Sequence, residues 1–305
     1  MDRILDNNNI FMINGGLETT LIYKYNLELP FFSCIDLFKN DNTRKIIYQY
    51  YLEYLKVAQK YNSFIIIDTP TWRFNKDWAS KLGYNEIELL NRNKEAVVLI
   101  SKLKNGYNNI IISGKIGPKY EGYFISEKMS IEESKNYHST QIKTFSELNI
   151  DIITASAMNY VEEAIGISYS AKDNSIPLVI SFTLNNDSKL PSGMTLEDAI
   201  NYIDYITNEY PIYYMINCVH PKYFIELLRI NKDKKWINRI RGIRPNASSK
   251  SHEELEKLNK LDSGNIDELA NYCKEIKNIC PNINIFGGCC GTNINHVESI
   301  YKKII

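Results

Sequence analysis

Three cysteines carry the chemistry most readily read from this chain. They are Cys218, in Asn217-Cys218, and the adjacent pair in Gly287-Gly288-Cys289-Cys290-Gly291-Thr292. Three thiolates can close three corners of a tetrahedral zinc site and leave the fourth corner for a substrate. An alkyl thiol with a pKa near ~8.5 is mostly protonated at neutral pH, and a metal ion strips the proton from a thiol that coordinates it. Such a site therefore presents a sulfur nucleophile. Two other readings of the same residues stay open at this level. A free cysteine also packs well as a small buried hydrophobe, and a 289–290 vicinal disulfide would close a strained small ring. Cys34, Cys273 and Cys280 fall in helix or loop segments and read as packing thiols.

For the trio to meet, something must bring the two segments together. Short apolar runs read as buried strands: 10–13, 64–67, 110–114, 150–156, 177–183, 213–218, 240–244 and 283–288. Helical periodicity lies between them, with Ser130 and Glu133 forming a capping box, Thr195 and Asp198 opening another helix, and Asn159 set to cap a third. The segment from Lys115 to Lys128 reads as a polar loop, and 248–264 as a long loop with one helical turn. Strands this apolar are buried on both faces, as in a parallel sheet. Eight βα units in 305 residues point to one domain, residues 1–305, folded as a (β/α)₈ TIM-type barrel.

Composition narrows the partners. Thirty-six basic residues balance 36 acidic ones, with no long like-charge block, so no electrostatic footprint for nucleic acid or an anionic membrane is present. Small neutral or zwitterionic molecules fit better. The sequence contains no secretory apolar core and no membrane-length apolar run, which points to a cytoplasmic protein. Oligomeric state is not encoded in any pattern found here.

In such a barrel the site gathers at the C-terminal ends of the strands. Those ends carry Asn14, Asp68 to Thr71, Lys115, Ser156, Thr183, Asn217-Cys218, Arg244 to Asn246 and Cys289-Cys290. Cys218 and the 289–290 pair thus converge on one mouth. Adjacent cysteines on a strand point opposite ways, and the glycines at 287, 288 and 291 allow the backbone to bring both sulfurs to one ion.

These features together resemble the homocysteine S-methyltransferase family: Gly-Gly-Cys-Cys-Gly-Thr near the end, Asn-Cys after the sixth strand, Asn14-Gly15-Gly16 at the start and Gly117-Pro118 in the middle. The similarity covers essentially the whole chain in the family's order. It implies a (β/α)₈ barrel whose zinc is held by Cys218, Cys289 and Cys290 and binds the sulfur of homocysteine. A methyl group on a sulfonium or quaternary nitrogen makes a suitable donor, because its leaving group departs neutral. Aromatic faces stabilise such cations, and Trp72, Tyr120, Tyr123 and Phe182 lie in or beside mouth segments.

The chain departs from the family at two positions. The usual Asp-Gly-Gly has become Asn14-Gly15-Gly16, and the usual Glu after the fourth strand is Ser156, so both carboxylates expected around the substrate ammonium are gone. Asp68 offers a replacement carboxylate, with Thr71 and Trp72 beside it, and Arg244 offers a bidentate partner for a substrate carboxylate. His220 reads as a capping group, and His138, His252 and His296 as surface residues.

The expectation is a zinc-dependent S-methyltransferase that moves a methyl group from a small onium donor, S-methylmethionine-like, to a thiol held on zinc. Homocysteine is the default acceptor, with Asn14, Asp68, Thr71, Trp72, Ser156, Asn217 and Arg244 binding the substrate. Two alternatives accompany it: the same chemistry on a different thiol, and a zinc- or thiol-binding barrel without turnover.

Overall fold

The computed structural model describes residues 2–148, 150–251, 254, 255, 257, 258 and 260–305, without the side chains of residues 2 and 3. Eight parallel strands close on themselves in sequence order: β1 Phe11–Ile13, β2 Phe64–Asp68, β3 Ile110–Ile116, β4 Ile152–Met158, β5 Leu178–Thr183, β6 Tyr213–Asn217, β7 Ile240–Arg244 and β8 Ile285–Phe286. Met12 pairs with Ile65 on one side and Phe286 on the other, which closes the ring. Helices between successive strands complete a (β/α)₈ barrel.

The strand period of two sorts the interior into layers. At the N-terminal end the inward positions are apolar: Phe11, Ile13, Ile66, Ile152, Val179, Tyr213, Met215 and Ile285 form one buried cluster with Ile4. Ile4 belongs to the short helix Asp2–Leu5, which is tied across the barrel floor by Arg241 and by the Asn284 amide, both donating to its carbonyls. Two residues further along each strand, the inward positions turn polar. Asp68, Ser113, Thr154, Ser181, Asn217 and Arg244 are all buried, and they bond to one another in pairs, as Ser113 Oγ does with Thr154 Oγ1 at 2.8 Å. The outward side chains and the helices form a second, larger apolar layer.

Some local expectations change. β3 runs on through Lys115 and Ile116, because those residues pair with Thr154 and Ala155 of β4 rather than opening a loop. β8 is shorter than its apolar run, because Gly287 and Gly288 leave the ladder to follow β1 and β7 singly. Asn159 is not a helix cap: Tyr160 precedes the helix Val161–Asp173, and the Asn159 amide donates to Glu121 and Phe124 carbonyls instead. His138 and His296 are buried, not on the surface; His138 pairs with Glu163 at 2.9 Å, and His296 bridges Asn293 and the Ser263 carbonyl. His252 lies outside the described residues. Among the described residues, no helix is long and apolar enough to cross a membrane.

Candidate active site

The β6 and β8 ends bring the cysteines together at the C-terminal mouth. Cys218 Sγ and Cys289 Sγ lie 2.7 Å apart, and the Tyr123 hydroxyl is 3.4 Å from Cys290 Sγ. Cys218 itself takes the left-handed backbone region, with φ of 60°. A non-glycine residue held there stores strain, which is common where a side chain must be aimed. Its NH is anchored by the Arg244 carbonyl at 3.1 Å, and its carbonyl accepts from Asn246 at 3.0 Å.

Of the glycines beside the cysteine pair, only Gly291 has positive φ, at 77°. Gly288 is needed for space: a Cβ there would run into the Thr292 side chain. Gly16 serves in the same way from the other side, since its Cβ would meet the Cys289 carbonyl oxygen at 2.5 Å. Gly16 NH donates to the Thr292 carbonyl at 3.1 Å, and Gly291 NH to Thr19 Oγ1 at 3.3 Å. The start of the helix Leu17–Tyr23 is thereby locked onto the cysteine loop.

The three sulfurs differ in acidity. The Cys289 thiol is held well below the usual thiol range, first by the hydrogen bond from Cys218 and then by that from Cys290, with the charges of Arg244 and Lys115 helping. The Cys218 thiol is pushed up, chiefly by burial. Hydrogen bonding within the trio thus favours the anion at Cys289. Asn217 orients this cluster: its Nδ2 donates to Cys218 Sγ at 2.9 Å, while its Oδ1 accepts from Ser181 Oγ and from Ala157 NH. Ala157, with φ of 63°, is the extra residue where the β4–β5 register shifts between Ser156 and Met158. That bulge presents the Ser156 carbonyl to Trp72 Nε1 at 3.1 Å.

The remaining expected residues divide into two groups. Trp72, Ser156 and Arg244 line the cleft with the cysteines, together with Glu18, Lys115, Phe32 and Tyr123. Asn14, Asp68, Thr71 and Asn217 stand just behind it. The Asn14 amide is spent on the Gly15 carbonyl and the Tyr50 hydroxyl. Asp68 and Arg244 are bonded to each other, with side chains 2% and 3% exposed. Each is thus the other's partner, with Arg244 still lining the cleft and Asp68 Oδ1 left without a hydrogen bond among the described residues. Thr71 Oγ1 donates to the Lys115 carbonyl at 2.7 Å, and Lys115 NH donates to Thr69 Oγ1 at 3.0 Å.

Among the aromatic candidates, Phe182 is buried against Tyr214, and Tyr120 turns outward to Glu127. Trp72 and Tyr123 face the cleft, their rings 6.3 Å apart and tilted. His220 caps the helix Pro221–Asn231, its Nδ1 accepting from Lys222 NH. Glu18 and Phe32 were not among the sequence candidates. Neither sits at a strand end, so the strand-end rule passes over them.

A family profile for homocysteine S-methyltransferase matches residues 11–304. The chain belongs to the homocysteine S-methyltransferase family. It is 22% identical to homocysteine S-methyltransferase 1 of Arabidopsis thaliana over 96% of this chain and 93% of that protein. Homocysteine S-methyltransferase 2 of the same plant is also 22% identical, over 96% and 92%. Among solved structures, the homocysteine methyltransferase MmuM from Escherichia coli in its metallated form superposes with a TM-score of 0.77 at 16% identity, covering 97% of this chain and 96% of that one. The apo form of the same enzyme gives 0.71. The barrel and the family are thus shared across the full length, and the chain is a methyltransferase of this homocysteine type.

Proposed function

We propose that the enzyme is a zinc-dependent thiol methyltransferase, with Cys218, Cys289 and Cys290 as the metal ligands, homocysteine as acceptor and a small onium compound such as S-methylmethionine as donor. The observation that carries this reading is the meeting of three cysteine sulfurs at one barrel mouth, with Cys289 favoured as thiolate.

The donor set suits zinc in type and charge. Among the described residues no three His, Cys, Asp or Glu side chains stand in ready metal-ligand geometry, and the Cys218 and Cys289 sulfurs lie 2.7 Å apart. Zn–S bonds of about 2.3 Å set tetrahedral sulfurs roughly 3.8 Å apart. The pair would have to open by about an ångström on loading, a movement within reach of small side-chain rotations. Bound there, zinc would keep the acceptor thiol deprotonated at neutral pH.

The chain's own residues do the rest of the work in this reading. Asn217 holds the Cys218 sulfur, the Tyr123 hydroxyl holds that of Cys290, and Trp72 and Tyr123 offer aromatic faces to a cationic donor. The test is methionine formation by zinc-loaded protein given homocysteine and S-methylmethionine, followed by mass spectrometry. Absence of methyl transfer to any thiol from sulfonium or quaternary ammonium donors would sink the proposal. A different thiol acceptor is favoured by one observation, the loss of both expected carboxylates at Asn14 and Ser156. Methylation of other thiols in place of homocysteine would establish it.

A further inference from the structure

The cleft beside the cysteines is lined by two charged side chains of opposite sign that the expected substrate-binding set does not include. Glu18 comes from the first turn of the helix Leu17–Tyr23, and Lys115 from the end of β3. Both are half-buried. Among the described residues, neither charged end makes a hydrogen bond or an ion pair. Asp68 and Arg244 are bonded to each other, which leaves Glu18 and Lys115 as the charged side chains of the cleft with no hydrogen-bonded partner among the described residues.

Both side chains spring from fixed backbone. Lys115 is held by Thr69 and Thr71 through its NH and carbonyl. The Glu18 helix is pinned to the cysteine loop through Gly16 and Thr19. Both side chains line the same cleft as Cys218, Cys289 and Cys290.

Building on the methyltransferase reading above, we infer that Glu18 and Lys115 form a zwitterion clamp, Glu18 taking the α-ammonium and Lys115 the α-carboxylate of an amino-acid thiol whose sulfur lies at the cysteines. The clamp supplies from new positions the anionic partner lost at Asn14 and Ser156.

The experiment is calorimetric binding of three thiols to zinc-loaded full-length protein: homocysteine, 4-mercaptobutanoate, which lacks the ammonium, and 3-mercaptopropylamine, which lacks the carboxylate. The wild type should bind homocysteine roughly 10- to 100-fold more tightly than either analogue. Glu18→Gln should erase only the advantage over 4-mercaptobutanoate, and Lys115→Met only that over the amine. Equal affinity of the wild type for all three thiols overturns the clamp without recourse to any variant. So does a uniform loss of affinity across the panel in both variants. Binding with the expected ranking but no methyl transfer would leave the clamp standing and remove the transferase reading. Methylation of 1-propanethiol in preference to homocysteine would do the reverse.

Discussion

Asp68 and Arg244 are each almost wholly enclosed, and Arg244 has little else to satisfy it. Its other contacts, to the Gly288 and Asn14 carbonyls, are long at 3.4 and 3.5 Å. Asp68→Leu should therefore strand a buried guanidinium. Removing one member of a buried pair costs about 3–5 kcal/mol, most of it the penalty of the charge left behind. For a chain of this size, that corresponds to a melting temperature lower by roughly 6–15 °C. Arg244→Met strands a carboxylate, which can take up a proton, so its cost should fall at the lower end. The double variant, Asp68→Leu with Arg244→Met, removes both charges and should recover much of the loss, giving a coupling energy of about 2 kcal/mol or more. Urea unfolding followed by both fluorescence and circular dichroism measures each term of the cycle. Losses under about 1 kcal/mol that add in the double variant would refute the claim that these residues stabilise each other.

Other outcomes follow from named contacts. Asn217→Ala removes the amide that donates to Cys218 Sγ, and should weaken zinc retention against a chelator by roughly 10- to 100-fold while far-ultraviolet circular dichroism stays unchanged. Gly288→Ala sets a Cβ against Thr292 and should cost about 1–3 kcal/mol in denaturant unfolding; an unchanged midpoint would show that the loop yields freely. Burial lowers the His220 pKa from 6.5 to about 4, so the unfolded chain binds the extra proton over that range, and the stability contributed by the neutral ring is lost as pH falls from 6.5 towards 4. The partly solvated ring limits this loss to about 2 kcal/mol. His220→Asn keeps a capping side chain and should flatten that part of the pH–stability curve.

Strand order, barrel closure and the mouth location of the cysteines were legible because each rests on a local pattern. The apolar runs set the strands, and the period of two set which residues face inward. Where the reading stopped, the deciding interaction was between elements. Nothing in the run up to Asp68 says that its partner is Arg244, 176 residues away. The inward sequence Ser113, Lys115 does predict a lysine aimed at the mouth, but the change from apolar strand to charged residue reads locally as the start of a loop. Glu18 was hidden for a different reason: it stands one helical turn past β1, and only the packing of Gly16 against Cys289 swings that turn over the cleft. The route to sulfur convergence was also misplaced in part. The glycines were expected to bend the chain around the pair, yet the strained residue on the opposite segment is Cys218 itself.

The central claim is that the three cysteines jointly hold a metal that then takes the acceptor sulfur. X-ray absorption at the zinc edge tests it most directly, on wild-type protein with and without homocysteine. The account predicts about one zinc per chain with three sulfur ligands at roughly 2.3 Å, rising to four when homocysteine is added. A sulfur count that does not change on adding homocysteine, or zinc still bound with three sulfurs in Cys290→Ser, would contradict it.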